Sequence, residues 1–222
     1  NKASGKATHL NSTANSVRIS YLPDFDQREV DVTLTLSLAF TNVLVAPISV
    51  GVLFRGQSLA DYYNTVVVLN TDETITIDFL RPDGTSLTSG PALAGISHDG
   101  TPLHIRTQIE GRSLRAKVWH GTVRDTTEPY DWVKTFTDEN GSELTGALID
   151  SSGYVGIISS VAAGNTNVPI TFSYDDIDIR SPQFAGEVSE WPQARDITGV
   201  DRTVEIRAEG LKRRLTQGAS PE

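Results

Sequence analysis

The chain has 222 residues, of which 38% are hydrophobic and 21% charged, which is enough apolar material for one large domain or for one domain with a small appendage. Its 28 Asp and Glu residues exceed its 19 Lys and Arg residues, and the formal net charge of −9 disfavours nucleic-acid binding and contact with anionic membranes. The absence of cysteine excludes disulfides, thiol catalysis and cysteine-ligated zinc, and no stretch reaches the roughly 18 apolar residues of a membrane span.

Period-2 alternation of apolar and polar residues is the dominant pattern along the chain. It is clearest in residues 29–38, where one face of a strand would carry Val30, Val32, Leu34, Leu36 and Leu38. Further strands are expected at residues 17–21, 48–55, 62–70 and 74–81. Pro82-Asp83-Gly84-Thr85 has the residue order of a tight turn.

The most distinct hairpin is expected at residues 103–118, with Glu110-Gly111-Arg112-Ser113 as its turn. Strands are also expected at 154–159 and 170–179. In the last of these, the apolar phase changes from even to odd positions at Asp175-Asp176, which predicts a β-bulge.

After residue 182 the pattern changes to two short strands, at 184–191 and 203–208, and a short helix at 211–218 with a basic last turn. So few elements cannot bury a core alone. We therefore expect an all-β fold: a two-sheet antiparallel jelly-roll sandwich over residues 1–182, and a dependent C-terminal segment, with strands and a short helix, over 183–222. Because the sequence contains no methionine, we also expect it to be part of a longer chain.

Two segments of the sandwich region carry a family resemblance. The first is residues 103–119, followed by Glu128-Pro129-Tyr130-Asp131-Trp132, and the second is the run from Gly164-Asn165-Thr166-Asn167 to Tyr174-Asp175-Asp176. Together they resemble the concanavalin A-like (laminin-G-like) jelly-roll domains inserted in minor tail proteins of tailed bacteriophages with Gram-positive hosts. The resemblance covers about residues 7–180.

The C-terminal region resembles the same proteins through two motifs of its own. These are Phe184-Ala185-Gly186-Glu187-Val188-Ser189-Glu190-Trp191-Pro192 and Gly210-Leu211-Lys212-Arg213-Arg214-Leu215-Thr216-Gln217-Gly218. The resemblance implies that residues 183–222 are the returning half of a split β domain that docks to the tail. It also implies a location in the virion tail, assembly in the host cytoplasm, and other tail proteins as partners.

Enzyme activity would be indicated by a known motif of catalytic residues. The chain has no Gly-x-Ser-x-Gly elbow, no His-Glu-x-x-His and no phosphate loop, so we expect neither enzyme activity nor a cofactor. His9, His98, His104 and His120 lack metal-ligand spacing and are interpreted as surface or loop residues. A glycoside hydrolase would need paired carboxylates, for which Glu29/Asp31 and Asp176/Asp178 are the candidates.

The oxygen-rich turns at residues 72–73, 83, 138–140 and 175–176 lack the spacing of a known calcium loop, and ordinary turn chemistry is the favoured interpretation. No metal site is therefore predicted.

Sugar binding requires an exposed aromatic ring beside hydrogen-bonding groups. Trp119 falls on the polar phase of its strand with Arg115, which predicts an exposed ring, whereas Trp132 is expected to cover an edge of the sandwich. The candidate ligand-binding residues are Trp119, His120, Tyr62, Tyr63 and Arg115, and packing is the alternative for each. The ligand that the fold suggests is a glycan of the host surface.

The one basic cluster, Lys212-Arg213-Arg214, is either a solvated helix end or a docking surface for an acidic neighbour. Candidate assembly contacts are Phe184, Trp191, Leu211, Arg213, Arg214 and Leu215. Three hypotheses follow: a structural minor tail protein, a free carbohydrate-binding lectin-like module, and, less favoured, a glycoside hydrolase.

Overall fold

The structure is a computed structural model that describes residues 7–38, 45–58, 60–88, 90–121, 124–139 and 152–181, together with the backbone of 186–190, 193–195, 202–204 and 207–210. The chain divides into two compact units, Asn1–Ser181 and Pro182–Glu222. The first unit is a sandwich of two antiparallel six-stranded sheets, here called sheet A and sheet B. The predicted all-β jelly-roll architecture is therefore confirmed.

Sheet A contains the first and the last strand of the sandwich as neighbours. Its strands, in spatial order, are β1 (Ala7–Asn11), β12 (Ile170–Arg180), β3 (Val30–Leu38), β8 (Leu103–Glu110), β9 (Ser113–His120) and β10 (Lys134–Thr137). Sheet B contains, in the same sense, β2 (Ser16–Gln27), β11 (Gly153–Val161), β4 (Ile48–Ser58), β5 (Asp61–Leu69), β6 (Ile75–Leu80) and β7 (Ser86–Thr88).

The core lies between the inward faces of the two sheets. Alternation places every second residue of each strand in it, as in Val30, Val32, Leu34 and Leu36 of β3. The strands predicted at 17–21, 29–38, 48–55, 62–70, 74–81, 154–159 and 170–179 and the hairpin predicted at 103–118 are all present. Three short strands, β1, β7 and β10, were missed because their alternation is too brief to register.

The predicted β-bulge in β12 is also present. Pairing with β3 is regular to Asp175 and resumes at Asp178, and Asp176 has a φ of 49°. The bulge lets Tyr174 and Ile179, which have opposite parity, both face the core.

The hairpin of β8 and β9 follows the prediction as well. Glu110 pairs with Ser113, so the loop has two residues, and Gly111 takes a φ of 54° there. The segment that follows β9 contains a single short helix among the described residues, α1 (Arg124–Thr127). None of the described helices has the length and apolar character needed to cross a membrane.

In the second unit, β13 (Gly186–Glu190) pairs with β16 (Arg207–Gly210), and β14 (Gln193–Arg195) pairs with β15 (Arg202–Val204). The described strands of this unit thus pair with one another. The predicted helix at 211–218 lies outside the described residues, and so do the candidate assembly contacts Phe184, Trp191, Leu211, Arg213, Arg214 and Leu215.

Candidate functional site

The outer face of sheet B carries a group of tyrosines. In β5, Tyr63, Val67 and Leu69 belong to the core, so the alternate residue Tyr62 faces outward. The same alternation places Tyr21 of β2 and Tyr154 of β11 on this outer face. Tyr21, Tyr62 and Tyr154 are referred to below as the tyrosine face.

Tyr21 connects the members of the tyrosine face. Its ring centroid lies 5.7 Å from that of Tyr154, with the two ring planes tilted by 54°. Its hydroxyl donates a hydrogen bond to the backbone oxygen of Ser58 at the end of β4, at 2.9 Å. Burial raises the pKa of Tyr21, and the neighbouring Tyr62 raises it further. Strands β2, β5 and β11 therefore each contribute one tyrosine to a single aromatic patch.

Two glycines let the Tyr21 ring lie close to the sheet. A Cβ atom on Gly156 would come within 3.1 Å of Tyr21 Cδ1, and one on Gly56 would come within 3.4 Å of Tyr21 Cε1. Because neither residue has a side chain, the ring can cross β11 towards β4.

The face is accessible and has polar groups at its surface. Tyr154 is 40% exposed, and Tyr21 and Tyr62 are half-buried. The hydroxyls of Tyr62 and Tyr154 form no hydrogen bond with the residues that the structure describes. Burial also raises the pKa of Tyr62, so its phenol is neutral at physiological pH and can both donate and accept a hydrogen bond.

The residues predicted to bind a ligand do not come together. Tyr62 belongs to the tyrosine face of sheet B, whereas Arg115, Trp119 and His120 lie on β9 of sheet A. Tyr63 is 0% exposed and packs in the core beneath the guanidinium of Arg55, whose Cζ lies 6.0 Å from the centroid of the Tyr63 ring.

The prediction that Trp119 is exposed is wrong. The side chain faces outward as its strand phase indicates, but it is only 4% exposed because the segment after β9 covers it. Its Nε1 donates to the backbone oxygen of Arg124, at 3.2 Å, and its ring packs on His104. The ring of His120 is held by the loop between β7 and β8, with Nε2 2.8 Å from the backbone oxygen of Ser97.

The interpretation of the histidines as surface or loop residues is wrong for two of them, His9 of β1 and His104 of β8, whereas His98 lies in the loop between β7 and β8. His9, His98 and His104 are 5%, 3% and 4% exposed. His104 is bonded through Nδ1 to Thr35 Oγ1, at 3.0 Å, and through Nε2 to the backbone oxygen of Gly121. A histidine in a strand can face the core, lie under a covering segment or face solvent. The alternation of apolar and polar residues does not distinguish these three positions.

The outer face of sheet A is occupied by a charge network. Arg106 of β8 makes a two-pronged ion pair with Asp31 of β3, with Nη2 and Oδ2 2.5 Å apart, and its Nη1 lies 2.6 Å from Glu128 Oε1. Lys117 of β9 reaches the same Glu128 oxygen at 2.7 Å and donates to the backbone oxygen of Pro129 at 2.6 Å. Glu128 and Pro129 are therefore held on sheet A by the side chains of Arg106 and Lys117.

Trp132 completes the cover over this network. Its ring centroid lies 5.3, 5.2 and 4.9 Å from the cationic groups of Arg106, Arg115 and Lys117. Trp132 thus covers the outer face of sheet A, where the sequence had predicted an edge of the sandwich. Glu128 and Trp132 therefore cover the outward side chains of Arg106 and Lys117 on this face.

Three of the four carboxylates in the candidate pairs for hydrolysis are engaged with other groups. Asp31 is paired with Arg106, Asp178 Oδ2 lies 2.6 Å from Arg180 Nη2, and Glu29 Oε1 accepts a hydrogen bond from the Gly111 amide. Among the described residues, no three His, Asp or Glu side chains come close enough together to hold a metal ion. The turn aspartates Asp72 and Asp83 instead accept hydrogen bonds from Thr74 and Thr85.

Of the tyrosine face, only Tyr62 is among the ligand-binding residues that the sequence predicts. Tyr21 and Tyr154 each fit the outward phase of a strand, and that signal was available. What the sequence does not give is the register that pairs Tyr21 with Gly156, because β2 and β11 are separated by more than a hundred residues.

No protein-family profile and no curated protein matches the chain. Among solved structures, it is similar to a legume lectin-like domain from Entamoeba histolytica (TM-score 0.49, 10% identity, 82% of this chain and 89% of that one). It is also similar to a beta-glucanase from Bacillus licheniformis (TM-score 0.48, 8% identity, 79% of this chain and 77% of that one). A third similar structure is a xylan beta-1,4-xylosidase from Bacillus halodurans C-125 (TM-score 0.45, 9% identity). The match covers 70% of this chain but only 28% of the xylosidase. Likenesses of this size carry no conclusion about the function of this chain.

Proposed function

We propose that this chain is the jelly-roll part of a bacteriophage minor tail protein and that it binds a host-surface glycan through the tyrosine face. The observation that carries the glycan proposal is the convergence of Tyr21, Tyr62 and Tyr154, from three separate strands, on one accessible patch of sheet B. The binding role is therefore assigned to sheet B, and the outer face of sheet A is assigned a structural role.

The chemistry of the patch suits a sugar. A pyranose ring has an apolar side formed by C–H groups, which packs on an aromatic ring, and a rim of hydroxyls that needs donors and acceptors. Tyr154 supplies an exposed ring, and the hydroxyls of Tyr62 and Tyr154 are available as both donors and acceptors. Tyr21, anchored to Ser58, keeps the patch ordered and lowers the entropy that binding would cost.

The virion part of the proposal is supported by the two sequence resemblances. In this chain the Glu128-Pro129-x-x-Trp132 motif holds a loop on sheet A through Arg106 and Lys117 of the hairpin, so the two parts of the first resemblance contact each other. The C-terminal motifs support it independently, because they lie outside the sandwich.

A glycan array followed by calorimetry with the best ligand tests the binding role. We expect Tyr154→Ala and Tyr62→Ala each to weaken binding by about tenfold or more, as expected for loss of a stacking ring. Tyr130→Ala is the matched control, because Tyr130 is 97% exposed and belongs to the covering loop of sheet A. Binding of no glycan by the folded protein, or equal affinity in the wild type and both face variants, would refute the proposal.

Immunogold labelling tests the location. An antibody raised against the sandwich should decorate the tail of intact tailed particles if the chain is a tail component. If the label is found only on soluble protein, the chain is a free carbohydrate-binding module. The same ligand also separates these roles from a glycoside hydrolase, which would shorten it during prolonged incubation.

A further inference from the structure

A polar network connects the two sheets at the edge formed by β1 and β2. His9 projects from β1 and is 5% exposed. Its Nδ1 lies 2.9 Å from Ser159 Oγ of β11, and its Nε2 lies 2.9 Å from Ser20 Oγ of β2. Asn11 continues the network, with Oδ1 3.0 Å from Ser159 Oγ.

The directions of these hydrogen bonds follow from the groups present. The amide nitrogen of Asn11 donates to the backbone oxygen of Ser16, so Asn11 Oδ1 is the acceptor of the Ser159 hydroxyl. Ser159 Oγ must then accept from His9 Nδ1–H. The remaining nitrogen, Nε2, carries the lone pair and accepts from Ser20 Oγ–H. This is the tautomer in which a histidine can remove a proton from a serine.

Burial lowers the pKa of His9, and the positive charge of Arg18 on β2 lowers it further. The other titratable group that faces the imidazole is Tyr174 of β12, whose ring lies edge-on at 5.3 Å and whose pKa is raised by burial. The imidazole is thus neutral, and Tyr174 is uncharged, at physiological pH.

Ser20 differs from its partners in being exposed, whereas His9, Asn11 and Ser159 are buried. It lies at an apolar cavity of about 60 Å³ between the sheets, whose other lining residues include Ala7, Leu22, Val32, Val155 and Ile177. An apolar cavity of about 150 Å³ can hold benzene, so this one suits a group the size of an acetyl or propionyl chain.

The backbone around Ser20 also offers hydrogen-bond donors. Within the described part of the chain, β2 is the edge strand of sheet B and pairs only with β11. Alternate N–H groups of an edge strand have no strand partner and can donate to an oxyanion.

We propose that Ser20 and His9 act as nucleophile and general base in the cleavage of short-chain acyl esters, with the acyl chain in the cavity. This activity lies beyond the proposed glycan binding, and it uses a different part of the sandwich. Asn11 and Ser159 are positioning residues that hold the His9 tautomer.

The reaction has two balanced steps. Ser20 Oγ attacks the ester carbonyl carbon while its proton passes to His9 Nε2; the ester C–O bond breaks, and the alcohol leaves with that proton. Water then attacks the acylated Ser20 while His9 takes a proton from it. Cleavage of the new ester releases the carboxylic acid, and His9 returns the proton to Ser20 Oγ.

Covalent labelling tests the proposal directly. The folded protein is treated with a fluorophosphonate and, separately, with p-nitrophenyl acetate, and the adduct is located by mass spectrometry. We expect one adduct, on Ser20, that is lost in Ser20→Ala and forms about 100-fold more slowly in His9→Gln, the lower range for a general base. Ser160→Ala is the control on the neighbouring strand and should label like the wild type. Ser159→Ala should slow labelling, and Ser159→Thr, which keeps the hydroxyl, should restore it.

The wild type alone can overturn the proposal, whatever the variants do. Absence of an adduct on Ser20 refutes it and leaves a packing role for the cavity. The labelling rate should also fall as the pH drops through the lowered pKa of His9, over a range in which circular dichroism shows that the protein stays folded. A rate that stays constant over that range contradicts a role for His9, as does unchanged labelling of a folded His9→Gln variant.

Discussion

Thr65 Oγ1 of β5 and Thr107 Oγ1 of β8 lie 2.7 Å apart and form a hydrogen bond between the two sheets in the middle of an apolar core. Both residues are almost fully buried. A buried hydroxyl that loses its partner costs about 1–3 kcal/mol, whereas removal of both hydroxyls can be nearly neutral. The effects of removing the two hydroxyls on the free energy of unfolding are therefore expected to be coupled.

We expect Thr65→Val and Thr107→Val each to lower the free energy of unfolding by about 1–3 kcal/mol, and the double variant to lie within about 1 kcal/mol of the wild type. Urea unfolding of the four proteins measures this. Strictly additive losses in the double variant would mean that the two hydroxyls do not depend on each other.

The second prediction concerns the turn between β8 and β9. Gly111 has a φ of 54°, and a Cβ atom placed on it would meet nothing within 4 Å, so the only cost of a side chain is conformational. Gly111→Ala should lower the free energy of unfolding by about 1 kcal/mol, and Gly111→Asn by less, because Asn tolerates this region better. Arg112→Ala is the control. A Gly111→Ala variant as stable as the wild type would contradict the turn geometry.

Strands could be predicted from sequence because alternation is a local signal. Val30 to Leu36 and the phase change at Asp175 were interpreted correctly for that reason. Trp119 was not, because what buries it is a segment that folds back over β9, and local phase contains no information on such a cover. The tyrosine face and the His9 network both depend on β2 meeting β11, a contact between distant segments that alternation does not specify.

The third prediction concerns stability at acid pH. Burial alone would raise the pKa of Glu128, but hydrogen bonds from Lys117 and Arg106 outweigh burial, and the pKa lies below its ordinary value of 4.5. A carboxylate with a lowered pKa in the folded state stabilises the protein above its unfolded pKa, and that contribution is lost as the pH falls through the folded pKa. The loss is therefore expected below about pH 4.5.

Urea unfolding from pH 7 to pH 3 measures this effect. Glu128→Gln should be less stable than the wild type at pH 7 and should lose less stability between pH 5 and pH 3, because the amide does not titrate. Since Glu128 is partly exposed, we expect a difference at pH 7 of about 1–2 kcal/mol. Parallel pH profiles for the two proteins would show that Glu128 contributes nothing to the acid sensitivity.

The last prediction separates binding from stability on the tyrosine face. A Cβ atom on Gly156 would lie 2.6 Å from the backbone oxygen of Ser20 and 3.1 Å from Tyr21 Cδ1, so that Gly156→Ala must move the ring or the strand. Overpacking of this kind costs about 1–3 kcal/mol. Displacement of Tyr21 should also disturb Tyr154, whose ring it contacts, and so weaken glycan binding severalfold.

Gly111→Ala is a matched control because it destabilises the sandwich to a similar extent at a turn of sheet A, away from the tyrosines. Calorimetry at a temperature where both variants are folded should show weaker binding in Gly156→Ala alone. Equal affinities in the two variants would mean that the position of Tyr21 does not matter for the ligand.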